Sequence, residues 1–231
     1  MIAETLGSDP LAGSRWSAPA TVAGFARSSP NEVLMRYADS RRRSGGARVL
    51  DLGCGAGRNA LPLARSGWDV LGTDLSTPML HAAAQRARAE GLQRRLQLAL
   101  APMDVVPAPD RTFDLVVAHG IWNLARSEAE LRRAVAEAAR VARPGAGLFV
   151  FTFSRHTLPP EALPVPGETF VFTDFSGEPQ CFLTAEQLRS EMAAGGFVPD
   201  PAVRLTEHNR PAPGALYTGG PVIYEAAFRR A

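Results

Sequence analysis

Apolar positions along this chain follow two periods that alternate. Short, nearly continuous apolar runs occur at Arg48-Val49-Leu50-Asp51-Leu52, Trp68 through Thr73, Leu96 through Leu100, Phe113 through Ala118 and Gly147 through Thr152. Runs of this length and composition read as strands buried on both faces. Between them, segments 58–66, 77–90 and 127–142 carry apolar residues at helical spacing, the last being strongly amphipathic. Gly67, Gly91 and Pro144-Gly145 stand where those helices should stop. Strands alternating with helices predict a mostly parallel sheet with helices on both faces, a three-layer α/β architecture.

The flanks depart from this rhythm. Residues 1–28 are rich in Ala, Gly, Ser and Pro without a clear period, and read as a loosely ordered arm. Ser28-Ser29-Pro30 reads as a helix start, a hydroxyl cap with proline in the first turn. That helix runs through Val33, Leu34 and Tyr37 and stops near Ser44-Gly45-Gly46. Residues 154–183 hold five prolines and several aromatics, and predict an ordered loop. Thr184 with Gln187 forms a capping box for a further helix ending at Gly195-Gly196. Phe197 to Leu205 and Val222 to Arg229 read as a C-terminal antiparallel strand pair joined by a Pro/Gly loop, completing a sheet of about seven strands. The expected division is residues 1–46 as an N-terminal arm and helix, a lid or cap, and 47–231 as the main domain.

Composition narrows the function. The 231 residues, 45% of them hydrophobic, suit one α/β domain with a sizeable core. A formal charge of +2, from 25 basic and 23 acidic residues, gives no field to draw in a nucleic acid. Arg41, Arg42 and Arg43 read as a solvated helix end at the favourable pole of its dipole. No apolar run is long enough to span a membrane, and no signal-peptide pattern opens the chain, so a soluble, cytoplasmic protein is expected. Cys54 and Cys181 form no disulfide framework and have no histidine at ligand spacing, so no metal is expected.

The candidate chemistry lies in Asp51-Leu52-Gly53-Cys54-Gly55-Ala56-Gly57, which follows the first strand and opens the first helix. Glycines there let the backbone turn sharply and approach a ligand closely. The spacing is G-x-G-x-G, so the G-x-G-x-x-G fingerprint of pyrophosphate binders is not met. Asp51 would repel a pyrophosphate but suits a ligand carrying an ammonium and a sulfonium. Asp74, ending the second strand, can accept hydrogen bonds from ribose hydroxyls, a role shared with nicotinamide enzymes.

Val49 through Ala60 resembles motif I of the class I S-adenosylmethionine-dependent methyltransferases. The resemblance continues through Gly72-Thr73-Asp74-Leu75-Ser76-Thr77-Pro78-Met79-Leu80, through Pro107-Ala108-Pro109-Asp110-Arg111-Thr112-Phe113-Asp114-Leu115-Val116 and through Arg143-Pro144-Gly145-Ala146-Gly147. It covers roughly residues 47–153 in order, and it implies the Rossmann-like methyltransferase fold. The Gly57-Arg58-Asn59 stretch and short length are also similar to the small-molecule tellurite-resistance and thiopurine group. By position, the resemblance implies S-adenosyl-L-methionine as cofactor. Gly53, Cys54, Gly55 and Gly57 would line its methionine part and Asp51 would lie near its ammonium. Asp74 would hold its ribose, Leu75 would pack on the adenine, and Met103 and Asp104 would flank that ring. Pro102 stands where many relatives carry an acidic residue. His119 would lie beside the methionine moiety at the active-site mouth.

Methyl transfer from a sulfonium is an in-line displacement that needs alignment and exclusion of water, with a base only when the nucleophile arrives protonated. His119 is the candidate base or acceptor contact, set against a histidine that only hydrogen-bonds cofactor or backbone. Trp122 would wall the acceptor pocket or simply pack. Cys54 suits a tight turn better than a reactive thiol. The acceptor should be a small molecule recognised by the arm, by Arg36 and Tyr37, by the loop after His119, and by the late loop with Arg155, His156, Phe170, Phe172, Phe175 and Phe182. If arm and late loop form a lid, deleting residues 1–28 should impair turnover far more than cofactor affinity. Competing readings are a nicotinamide oxidoreductase, which Asp51 and the glycine spacing oppose, a nucleic-acid or protein methyltransferase, and a non-catalytic cofactor-binding protein.

Overall fold

A computed structural model describes residues 7–211 and 220–231. Residues 1–6 of the arm and 212–219 of the expected Pro/Gly loop lie outside the described residues. Five parallel strands form the first part of the sheet: β1 (Arg48–Leu52), β2 (Asp69–Asp74), β3 (Leu96–Leu100), β4 (Phe113–His119) and β5 (Ala142–Phe153). A two-stranded hairpin, β6 (Val171–Phe172) and β7 (Gln180–Cys181), stands apart from it. β8 (Phe197–Pro199), β9 (Thr206–His208) and β10 (Ile223–Arg230) complete the main sheet. Its order is β3-β2-β1-β4-β5-β10-β8, with β9 also on β10, and β10 runs antiparallel to β5, β8 and β9.

Alternate residues of each central strand feed opposite cores. Val49, Leu115, Val117 and Phe149 face α2 (Glu32–Arg43), α3 (Ala60–Arg65) and α4 (Thr77–Ala89). Leu50, Leu52, Val116, Leu148 and Val150 face α5 (Glu128–Val141) and α6 (Ala185–Ala194). Helix α5 shows why the sequence folds this way. Ser127 caps it by accepting from Glu130 N–H, and Leu131, Ala134, Val135, Ala138 and Val141 put one buried stripe on the sheet. Truncating a side chain such as Leu131 to alanine should cost about 2–5 kcal/mol.

Three expectations are corrected. The arm is ordered over its described part: α1 (Pro19–Arg27), preceded by a 3-10 turn at Arg15–Ser17, packs on α4. Pro19 starts α1, and edge-on packing of Trp16 against Phe25 gives the segment an apolar contact of its own. The cap of α2 is Asn31, which accepts from Leu34 N–H at 2.8 Å, so Ser28 and Pro30 precede the helix. The expected strand Phe197–Leu205 is strand only over Phe197–Pro199, because the chain turns at Asp200, whose carboxylate accepts from Ala202 N–H, and β9 begins beyond it at Thr206. The capping box at Thr184 is present. No helix among the described residues is long and apolar enough to cross a membrane.

Candidate active site

The glycine loop sits where β1 ends and α3 has not begun, at the carboxyl edge of the parallel strands. Gly53 and Gly57 adopt φ of 62° and 80°, a region that side chains disfavour. A methyl group at Gly53 would meet Ile121 at 2.7 Å, and one at Gly57 would meet Leu61 at 2.6 Å. Cys54 N–H donates to Thr73 O at 2.8 Å, which pins the loop to β2. The Cys54 thiol is buried against Gly72, and burial with two nearby carboxylates raises its pKa well above the usual thiol value. It is a packing group, not a nucleophile.

Two carboxylates face this loop. Asp51 is 2% exposed, and its Oδ2 has no hydrogen-bond partner among the described residues. Burial, and then the charge of Asp74, push its pKa up to about 7, against the opposing pull of Ala60 N–H and Arg58. Asp74 accepts from Gly55 N–H and Ser76 N–H, both at 2.8 Å. Burial raises its pKa too, and those backbone donors oppose the rise. The arm closes over the same corner. Ser17 and Ser76 hydroxyls lie 2.9 Å apart, Asp9 accepts from Thr77 N–H, and the Phe25 ring lies 3.7 Å from where a methyl on Gly55 would stand.

The other expected positions lie along the same edge. Leu75 is half-buried in the turn from β2 to α4. Met103 is buried in the segment after β3, which Ala101 N–H ties to Asp74 O. Asp104 is held outward by Arg133 of α5 at 3.1 Å. His119 ends β4, stacked on Phe151 of β5 with centroids 4.2 Å apart. Burial, and then the positive charge of Arg58, lower its pKa to about 4, so the ring is neutral near pH 7. Trp122 and Asn123 are buried, and Trp122 Nε1 and Asn123 Oδ1 find no partner among the described residues.

Sequence reasoning missed the group that surrounds His119. Asn31 donates its amide to Glu225 Oε1 at 2.7 Å and lies 3.4 Å from His119 Nε2. Its Oδ1 is already used in capping α2, which fixes the amide's orientation. Nε2 of His119 therefore accepts, leaving the ring proton on Nδ1. Asn59 Oδ1 accepts from Asn31 N–H, and Arg58 donates to Ser29 O. The available signal was Glu225, a lone carboxylate in the run Val222 through Phe228. Tyr37 and Arg36, by contrast, are removed from the site. Tyr37 packs on Gly147 near the opposite end of the sheet and donates to Asp200, while Arg36 pairs with Glu32 in solvent. In the late loop, Phe170, Phe172 and Phe182 are buried, and Arg155 lies over Phe172 while donating to the carbonyls of Leu158, Pro159, Pro160 and Ala162. These side chains hold the loop together.

Fold and site together define a Rossmann-like protein whose glycine loop is flanked by carboxylates. Two negative groups oppose a pyrophosphate, and the unpartnered Oδ2 of Asp51 fits an ammonium. The family model described as a methyltransferase domain matches residues 49–145. Demethylmenaquinone methyltransferase of Thermus thermophilus is 33% identical over 168 residues, covering 65% of this chain and 74% of that protein. Methyltransferase GfsG of Streptomyces halstedii is 33% identical over 137 residues, covering 58% of this chain and 48% of that one. This chain spans about half the length of several curated relatives it matches. The crystal structure of the cyclase SpnF superposes with a TM-score of 0.59 at 27% identity, covering 80% of this chain and 63% of that one. The chain belongs to the class I S-adenosylmethionine-dependent methyltransferases.

Proposed function

We propose that this protein transfers a methyl group from S-adenosylmethionine to a small-molecule nucleophile. The observation that carries the reading is Asp51, a buried carboxylate beside the glycine loop with an oxygen unpartnered among the described residues. A buried carboxylate with one oxygen unpartnered is costly, and a ligand ammonium would relieve it. Gly53, Gly55 and Gly57 would line the methionine part, with Cys54 shaping the turn. Asp74 would keep Gly55 N–H and Ser76 N–H while accepting from the ribose through its remaining lone pairs. Leu75 and Met103 would bound the adenine, and the free oxygen of Asp104 would face its edge. When bound, the group supplies a methyl on a positively charged sulfur, open to in-line attack.

The chain's own part is positioning and exclusion of water. The arm covers the cofactor corner, and His119 sets the wall at the end of β4. With a pKa near 4 and Nε2 facing the Asn31 amide, His119 is a poor proton acceptor at neutral pH. It serves here as a neutral hydrogen-bonding wall. A small-molecule acceptor is supported by relatives named as quinone-pathway and other methyltransferases. The balanced formal charge speaks against a nucleic-acid substrate, and a cytoplasmic location is part of this reading. The tellurite and thiopurine likeness adds nothing to it, since Arg58 and Asn59 are spent tying the loop to the chain before α2.

A second reading is favoured by the likeness to SpnF, a protein named as a cyclase. The same fold can hold this cofactor and use its pocket for other chemistry. The first measurement is calorimetric titration with S-adenosylhomocysteine and with NADH. Binding of the first and not the second supports the cofactor reading, and binding of NADH alone would overturn it. Screening small nucleophiles for stoichiometric release of S-adenosylhomocysteine from S-adenosylmethionine then separates transfer from a cofactor that is held and never consumed.

A further inference from the structure

The run from Val222 into β10 is apolar as far as Phe228 except at Glu225, which is 5% exposed. Register places Glu225 opposite Phe151, and Phe151 opposite His119. The three residues therefore form one row across β10, β5 and β4, on one face of the sheet. Strand spacing puts the backbones of Glu225 and His119 about 10 Å apart. The Asn31 amide bridges that gap, donating to Glu225 Oε1 at 2.7 Å with His119 Nε2 at 3.4 Å.

The second carboxylate oxygen accepts no hydrogen bond among the described residues. His208 Nε2 lies 3.4 Å from Oε2, yet that nitrogen makes no hydrogen bond among the described residues. A carboxylate accepts up to about four hydrogen bonds, and among the described residues Glu225 receives one of good geometry. The Arg58 guanidinium is turned to Ser29 O and acts on Asp51 and His119. A buried carboxylate so sparsely satisfied is a poor structural element, because its desolvation is not repaid by the one tether. It is a good receptor for a hydrogen-bond donor arriving from outside. Phe151, its register neighbour, carries a ring stacked on that of His119 at 11° from parallel, so a planar apolar surface lies beside it.

Resting on the methyl-acceptor reading of this site, we propose that Glu225 selects the acceptor: it binds a hydroxyl of a neutral, planar molecule and excludes one bearing an anionic group at that point. Glu225→Gln isolates this role. Glutamine keeps an oxygen for the Asn31 amide, so the tether of α2 to the sheet survives, while the negative charge is lost.

The test uses the full chain loaded with S-adenosylhomocysteine and three matched probes, 2-naphthol, 2-methoxynaphthalene and 2-naphthoate. Affinities are read by ligand-observed NMR. Wild type should bind 2-naphthol about tenfold tighter than either other probe, a ratio typical of a site built around one polar contact. In Glu225→Gln the naphthol advantage should vanish and naphthoate should gain. The chain has four histidines, so their imidazole signals give a second readout that needs no variant. Naphthol should move those of His119 and His208 and leave His81 and His156 in place. Equal binding of the probes, no binding of naphthol, an advantage that survives in Glu225→Gln, or shifts confined to His81 and His156 would each overturn the proposal. Calorimetry with S-adenosylhomocysteine alone separates the two failures. If it binds and the probes do not discriminate, only the role of Glu225 falls; if it does not bind, the cofactor reading falls and this inference with it.

Discussion

The cofactor corner and the acceptor row are built on opposite principles. At the cofactor corner the work falls to backbone. Gly53 and Gly57 turn at positive φ, Gly55 N–H and Ser76 N–H are held by Asp74, and the elements involved lie within residues 48–77. In the acceptor row the work falls to side chains brought together from far apart. Asn31 meets His119 across 88 positions and Glu225 across 194. A backbone site must be encoded locally, because turn geometry and close approach constrain consecutive residues. A side-chain site needs only that the sheet deliver its members to one edge, so it leaves no spacing to read.

The contrast predicts where substitution costs most. Asp74→Ala should have the largest effect, since it leaves Gly55 N–H and Ser76 N–H unpaired and removes the proposed ribose acceptor. Two orphaned donors and one lost ligand contact amount to about 3 kcal/mol, or about a hundredfold in affinity for S-adenosylhomocysteine. Calorimetry measures it, and circular dichroism checks the fold. A loss below about fivefold would mean that the corner does not hold the ribose through this carboxylate.

Deleting residues 1–28 tests the boundary between the two regions. From sequence the arm reads as part of an acceptor lid, whose loss should spare cofactor affinity. In the structure the arm touches Ser76, Thr77 and the surroundings of Gly55. The expected loss therefore moves onto affinity, about tenfold for two hydrogen bonds and the Phe25 contact. Unchanged affinity with impaired turnover would return the arm to the acceptor side.

How much was legible follows the same division. Strands β1 and β3 match their expected limits, because buried runs are local signals, whereas the β6–β7 hairpin, which puts Val171 and Cys181 into the core, falls inside the expected loop 154–183. The arm was misread because its order comes from docking on α4, which no period in residues 7–28 reports. Asn31 was hidden behind Ser28-Ser29-Pro30, a stronger cap signal that the chain does not use. Tyr37 was assigned to the site because α2 begins there, but the helix carries it to the other end of the sheet, against Gly147.

A third prediction uses charge. Asp51, with its pKa raised to about 7, is partly protonated in the free protein at neutral pH. A carboxylate whose folded pKa is raised favours the folded free protein at low pH, and that advantage is lost as pH climbs from the unfolded value of 3.8 through 7. Ligand affinity runs the other way, because an ammonium binds only the ionised form. Affinity for S-adenosylhomocysteine should rise about tenfold from pH 6 to pH 8, with proton release on binding near pH 7. Calorimetry in buffers of different ionisation enthalpy reads both. A flat profile would show that Asp51 does not meet the ammonium.

The smallest effect should come from Cys54, and its smallness is informative. The residue sits in the middle of the glycine loop, where a side chain contacting the cofactor would be expected to matter. Its backbone N–H holds the loop to Thr73, and any residue except proline supplies that donor. Its thiol points away into the core, against the hydrogen-only face of Gly72. Cys54→Ala therefore loses one buried sulfur contact, about 1 kcal/mol of stability by melting, and should leave S-adenosylhomocysteine affinity within about twofold. The native thiol, buried and with its pKa well above the ordinary value, should resist iodoacetamide in the folded protein. A Cys54→Ala variant that keeps its melting temperature but binds the ligand tenfold more weakly would break the contrast at its centre, since the thiol would then be sharing what the loop backbone and the two carboxylates do.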